Sequence, residues 1–118
     1  MCLEYSTRQD TLFIVDKPSE KLIMGMLLHP SFFPHGFTYD KRQKCITIIY
    51  NYSTKGVEYD KRKFIPLSKL IMGLNVYSKK SVIYLNNNVC DLRKENLRIA
   101  TRKEFKEKKK GFFIGKCV

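Results

Sequence analysis

SVIYLNNNVCDLRKENLRIAT, residues 81 to 101, is the stretch whose order of residue types decides the predicted fold. It begins with apolar, β-branched residues, which favour a strand. The three asparagines at 86 to 88 tolerate turns and left-handed backbone, so the strand is expected to run into a tight loop. Thr101 stands three residues before Glu104, the spacing of a capping box, and the run from Arg102 to Lys110 favours a helix. The stretch therefore predicts a strand, a loop and a helix in that order.

The same stretch resembles the second half of an HNH-type nuclease module, in particular the phage and homing-endonuclease branch. The likeness is carried by Asp91-x-Arg93-x-x-Asn96-Leu97-Arg98, by the asparagine-rich turn before it and by Thr101 after it. It extends upstream through IPLSKLIMG at residues 65–73 and spans residues 39 to 106 in all. The resemblance implies a ββα-metal module, in which two strands, a loop and a helix surround one divalent metal.

The chain departs from that family at the positions that carry its chemistry. Alignment on the shared pattern places Ile83 and Tyr84 where the family has a metal-binding Asp and a general-base His, and Phe105 where a later Asn or His completes the site. Isoleucine offers no oxygen to a hard cation. Tyrosine, with an unperturbed pKa of about 10, is a poor base at neutral pH. Asp91 and Asn96 match family positions that hold the loop. The resemblance therefore implies a nuclease scaffold without a cofactor, and a divalent metal is expected only if a substituted site still cuts.

Positive charge is the dominant feature of the composition. The 118 residues include 23 Lys plus Arg against 11 Asp plus Glu, a formal net charge of +12. On a single small domain this charge favours nucleic acid, an anionic membrane or an acidic protein as partner. Codon bias toward lysine is the alternative explanation, but the cations cluster by position, which favours binding of a polyanion.

The candidate nucleic-acid-binding residues form two groups. One lies in the loop and helix after residue 91, where the four-residue spacing of 98, 102 and 106 predicts a shared helix face. The other is a basic triplet at 61–63, predicted to lie on a turn or a strand edge at the rim of a sheet, together with a second triplet at 41–44. A solvated charged surface is the alternative for both groups. The candidates are Arg93, Lys94, Arg98, Arg102, Lys103, Lys106, Lys61, Arg62 and Lys63.

We expect an α+β fold, a small antiparallel sheet with short helices, and an HNH-like ββα-metal module in the C-terminal half. Residues 1–38 are predicted to supply a strand, a buried helix and an aromatic loop, residues 39–110 the module, and residues 111–118 a C-terminal clasp. All three belong to one globular domain. The helix over 21–28 is expected to be buried because it is apolar nearly all round.

Residue types typical of metal or thiol chemistry are few. His29 and His35 flank an aromatic loop, and loop packing is favoured over metal binding because no acidic or thiol partner stands at a ligand spacing nearby. The four cysteines form no CxxC pair, so zinc spacing is absent and reduced thiols of an intracellular protein are expected. No apolar run approaches the roughly 18 residues of a membrane span.

Three functions follow as hypotheses. The first is a catalytically degenerate HNH-like protein that binds nucleic acid, most simply duplex DNA through its backbone, without cutting it. The second is a small phage-type inhibitor that engages an acidic host protein, such as a nuclease or polymerase, with the aromatic residues of 32–37 as an anchor. The third is an active metal-dependent endonuclease with a substituted site. Each places the protein in the cytoplasm of a bacterial or phage-infected cell.

Overall fold

The structure is a computed structural model that describes residues 2–28, 36–54, 57–75 and 78–115; the side-chain surroundings of residues 2, 26–27, 50–54 and 57–62 lie outside the description. Over these residues the chain has an α+β fold, with small sheets and short helices, as expected. The strands are β1 Cys2–Ser6, β2 Leu12–Asp16, β3 Phe37–Asp40, β4 Cys45–Thr54, β5 Val57–Pro66, β6 Ser81–Tyr84, β7 Asp91–Leu92 and β8 Leu97–Ala100. The helices are α1 Glu20–Leu28, α2 Leu67–Ile71 and α3 Arg102–Lys109, with 3-10 turns at Lys17–Ser19 and Lys94–Asn96.

The first sheet joins the N-terminal hairpin to the loop near residue 91. Its strand order is β1-β2-β7, with β1 and β2 antiparallel and β2 and β7 parallel. Ile14 lies opposite Asp91, and its amide donates a 2.9 Å hydrogen bond to the carbonyl of Cys90. Asp16 accepts a 2.7 Å hydrogen bond from the amide of Lys94. The parallel pair is an addition to the antiparallel arrangement that was expected.

The second sheet is an antiparallel meander, β3-β4-β5, in which Thr47 lies opposite both Thr38 and Pro66. Strand β5 runs unbroken for ten residues. Of the turn and the strand edge predicted for the basic triplet 61–63, the structure has the strand edge, because these residues continue β5 at the edge of the sheet. Pairing with β4, the strand that precedes β5 in the chain, keeps the backbone extended there. The other triplet does lie in a turn, between β3 and β4, where Lys44 has a positive φ of 53°.

The third sheet is the antiparallel pair β6 and β8, in which Ile83 lies opposite Arg98. Helix α3 follows β8 after Thr101 and packs against β6. The local order in this part of the chain is therefore strand, loop, strand, helix. The strand, loop and helix predicted from residues 81 to 110 are confirmed at this level.

The core lies between these sheets and helices. Phe13, Phe37 and Tyr5 form an aromatic cluster with ring centroids 5.2 to 6.0 Å apart. The side chains with less than 2% exposure include Phe13, Val15, Ile23, Ile46, Ile48, Ile65, Leu67, Tyr84, Val89 and Leu92. These residues come from all three sheets and from α1 and α2, so the sheets share one core.

Helix α1 is only partly buried, which corrects the prediction. Ile23 is fully buried, but Leu22, Met24 and Leu28 are 39%, 48% and 79% exposed. An apolar composition on all sides does not by itself bury a helix, because burial requires other elements that pack on each side. Both histidines and residues 32–35 of the aromatic loop lie outside the described residues, while Phe37 is buried in β3. No helix within the described ranges has the length and apolar content to cross a membrane.

Candidate nucleic-acid interface

The loop after β6 is held by a buried carboxylate. The side chain of Asp91 has no exposed surface. Its Oδ1 accepts from Nε of Arg93 and its Oδ2 from Nη2 of the same residue, each at 2.8 Å. Nδ2 of Asn86 donates to Oδ2 of Asp91 at 3.0 Å. Both carboxylate oxygens therefore accept hydrogen bonds from residues of this loop.

Asn96 holds the other side of that loop. Its Oδ1 accepts from the amide of Asn86 at 2.8 Å, and its Nδ2 donates to the carbonyl of Asp91 at 2.9 Å. The asparagines of the turn add local bonds, because Asn86 Oδ1 accepts from the amide of Asn88, and Asn88 Oδ1 from the amide of Cys90. Asn87 sits between them at a φ of 63°, the left-handed conformation that asparagine tolerates.

Of the three positions at which the chain departs from the HNH pattern, two are buried and Phe105 is half-buried. Ile83 is 2% exposed and Tyr84 is 1% exposed. The hydroxyl of Tyr84 donates to Oγ of Ser68 at 3.1 Å, and burial raises the pKa of Tyr84 well above its ordinary value. Phe105 packs edge-on to Phe112, whose ring lies 5.1 Å from that of Tyr84. The phenol stays protonated at neutral pH, so it supplies no base there. Across the described part of the chain, no three His, Cys, Asp or Glu side chains are grouped so as to hold a metal ion.

Helix α3 begins at the predicted capping box. Oγ1 of Thr101 accepts from the amide of Glu104 at 3.2 Å, and the Glu104 carboxylate accepts from the amide of Thr101. Oε2 of Glu104 also pairs with Nη2 of Arg98 at 2.8 Å. The Arg98 hydrogen bond, followed by the cap, lowers the pKa of Glu104. The carboxylate thus stays charged at the positive end of the helix dipole, where it is stabilising.

The predicted shared face of residues 98, 102 and 106 is wrong in one respect. Arg98 belongs to β8, and the helix begins only at Arg102, so the four-residue spacing does not apply to it. The strand places Arg98 opposite Ile83 and beside Glu104 instead. Lys106 does share a helix face with Arg102.

The solvent side of α3 carries a compact group of cations. With about 100° of rotation per residue, Arg102, Lys106, Lys110 and Lys103 fall within an arc of about 100°. All four side chains are exposed, while Phe105, which lies outside this arc, packs toward Phe112. We call Arg102, Lys103, Lys106 and Lys110 the α3 basic face. Lys110 was missed in the sequence, although it stands four residues after Lys106.

The remaining candidates are arranged differently. The guanidinium of Arg93 binds both Asp91 and Glu95, the latter at 2.9 Å, and its side chain is 27% exposed. Lys94 is exposed on the 3-10 turn, apart from α3 in the chain. Lys63 is half-buried on β5, and the side chains of Lys61 and Arg62 lie outside the described set.

Of the nine candidates, the structure therefore brings three together on one exposed helix face, which Lys110 completes. Comparison with protein-family models, with curated proteins and with solved structures finds no match to this chain.

Proposed function

We propose that this protein binds the phosphate backbone of duplex DNA through the α3 basic face and does not cut it. One arrangement supports the proposal: four exposed cations lie on one side of a capped helix, and half-buried Phe105, outside that side, contacts Phe112. The net charge of +12 adds a long-range field of the sign that attracts DNA.

The dimensions of the face suit a phosphate backbone. A helix rises 1.5 Å per residue, so Arg102 and Lys110 are separated by about 12 Å along the axis. Duplex DNA rises about 3.4 Å per step on each strand, so this length covers three to four steps. Lysine and arginine at this spacing contact successive phosphates without reading base edges.

Binding of this kind is predicted to be strongly salt-dependent and weakly sequence-dependent. Each phosphate contact releases condensed counterions and contributes about 0.9 to the slope of log affinity against log salt. The resemblance to HNH-type nucleases supports the same surface, because in that family the corresponding helix lies against the minor groove beside the scissile phosphate. Arg93 and Arg98 are engaged with carboxylates, so they contribute less than their sequence positions suggested.

The test is a titration of a fluorescent duplex at several salt concentrations. The variant Arg102→Gln, Lys103→Gln, Lys106→Gln, Lys110→Gln is compared with a matched variant that also removes four exposed cations, Lys17→Gln, Lys21→Gln, Lys79→Gln, Lys80→Gln. We expect the α3 variant to lose at least tenfold in affinity and about 3 to 4 in salt slope. The matched variant should change both much less. Equal losses in the two variants would show a diffuse field rather than a defined face.

Cutting is tested separately with supercoiled plasmid in Mg²⁺ or Mn²⁺. We expect the plasmid to stay supercoiled, because Ile83 and Tyr84 offer neither a metal ligand nor a base. Nicking that disappears when both Asp91 and Asn96 are replaced would overturn this half of the proposal and leave the binding half intact.

A further inference from the structure

A cleft of about 570 Å³ lies between the β3–β4 turn and strand β5. It belongs to the sheet β3-β4-β5, whereas α3 packs against β6 of another sheet. It combines side chains of three kinds: cations, an aromatic ring and polar groups. Its lining residues are Asp40, Lys41, Arg42, Gln43, Lys63 and Phe64. We call it the Phe64 cleft.

Hydrogen bonds across the cleft fix the distance between its two walls. The Asp40 carboxylate accepts from the amide of Arg42 and from Nε2 of Gln43, each at 2.9 Å. The same Nε2 donates to the carbonyl of Phe64 at 3.0 Å. The turn is thereby tied to β5, and the cations of the turn are held beside the ring on the strand.

Phe64 is unusual in its surroundings. Its strand neighbour Ile65 and its cross-strand partner Ile49 are buried, yet Phe64 is 45% exposed. A single exposed apolar side chain needs no explanation. The ring of Phe64, however, shares its cleft with Lys41 and Arg42. The ring offers a face for stacking, and the two cations offer hydrogen-bond donors to an anion.

We propose that the Phe64 cleft binds one unpaired nucleotide of a single-stranded nucleic acid, with its base stacked on Phe64 and its phosphate held by Lys41 and Arg42. Each base has a π-face, and stacking on an aromatic side chain is the usual way in which proteins hold single strands. Paired bases in a duplex are stacked on one another and cannot present that face. The cleft therefore selects unpaired segments, which the α3 basic face does not.

The test uses a short single-stranded oligonucleotide that carries one 2-aminopurine, whose fluorescence falls when the base stacks. The variant is Phe64→Leu, and the matched control is Phe113→Leu, because Phe113 is also about half-exposed (51%) and lies outside the cleft. We expect Phe64→Leu to weaken single-strand binding roughly tenfold and to abolish the quench. Duplex affinity should stay within twofold of the parent, and the control should change neither.

A second variant addresses the phosphate half of the cleft. Lys41→Gln with Arg42→Gln is expected to lower single-strand affinity and to reduce the salt slope by about 1 to 2. The quench at saturation should persist, because the ring is still present. Since both cations are exposed, the fold is expected to tolerate the change.

Several results would overturn the inference. An unchanged affinity and quench in Phe64→Leu removes the stacking site. An equal loss of duplex affinity makes the cleft one more backbone contact. Equally tight binding of a free nucleoside monophosphate makes it a mononucleotide site. Single-strand binding that depends on Phe64, without any duplex binding, would support the cleft and contradict the role proposed for α3. The two proposals can therefore fail independently.

Discussion

Arg93 grips Asp91 at two points, with Nε to Oδ1 and Nη2 to Oδ2 both at 2.8 Å. The carboxylate is fully buried, whereas the guanidinium is 27% exposed and also reaches Glu95. Asp91 is more deeply buried than Arg93, so removing one partner does not have the same effect as removing the other. Removing the arginine leaves the Asp91 charge unpaired in the interior, and this lowers the stability of the protein strongly.

Arg93→Met is therefore expected to lower the free energy of unfolding by about 3 kcal/mol or more, measured by urea denaturation. Glu95→Gln, which removes the 71% exposed partner, should cost less than about 1 kcal/mol. If the two variants cost the same, the pair with Asp91 is not what holds the loop. The double variant Arg93→Met, Asp91→Leu should recover part of the loss, because it leaves no buried charge.

Thr101→Ala is expected to destabilise the start of α3 by about 1 kcal/mol, because the amide of Glu104 loses its acceptor. Hydrogen exchange of the amides in the first turn measures the effect directly. Thr101→Ser keeps the oxygen and should exchange at nearly the parent rate. Comparable fraying in the serine variant would mean that the methyl group, and not the cap, stabilises the turn.

Tyr84→Phe removes a hydroxyl that donates to Ser68 in a site where both residues are about 1% exposed. We expect a loss of about 1 kcal/mol in the free energy of unfolding. The ring contact with Phe112 remains in this variant, so packing is unchanged. A double-mutant cycle with Ser68→Ala should give a coupling energy of about 1 kcal/mol, and additive losses would show that the two groups do not interact.

Stability is expected to fall in alkaline solution through the Cys45 thiol. Burial raises the pKa of Cys45 from 9.0 to about 12. Above pH 9 the unfolded chain loses this proton and the folded chain keeps it, so the unfolded state binds fewer protons and the free energy of unfolding falls. The stabilising contribution is complete below pH 9 and is lost as the pH rises to about 12.

Urea titrations between pH 9 and 10 test this effect. Each such thiol gives a slope of at most about 1.4 kcal/mol per pH unit. Cys45→Ala should reduce the slope, leaving the effects of Cys90 and, toward pH 10, of Tyr84, whose pKa values burial also raises. Parallel curves for the parent and the variant would contradict the assignment.

The elements that could be predicted from the sequence are those with local causes. Thr101 and Glu104 are three residues apart, and the side chain of each accepts a hydrogen bond from the backbone amide of the other. Four consecutive residues therefore determine where α3 begins. The turn at 86 to 88 has a similar cause, because asparagine side chains bond backbone amides two residues on.

Features that depend on distant partners could not be predicted in the same way. The composition of the triplet 61–63 fits either a turn or a strand edge, and its pairing with β4 decides for the strand. The Phe64 cleft arises because a turn and a strand 21 residues apart share one hydrogen-bonded amide, which no local pattern contains. Arg98 follows helical spacing but lies within β8, because the cap that starts α3 comes after it.

The parallel contact between β2 and β7 affects how the chain acquires its structure during synthesis. Asp16 and Lys94 are 78 positions apart, and the ribosome releases the N-terminal hairpin long before its third strand exists. Closing so large a loop is entropically slow, so this junction is expected to form late on the folding pathway. Until then the edge of β2 that pairs with β7 has unpaired backbone groups, to which a strand of another chain can bind. Truncated translation products that end before residue 91 are therefore expected to be prone to aggregation.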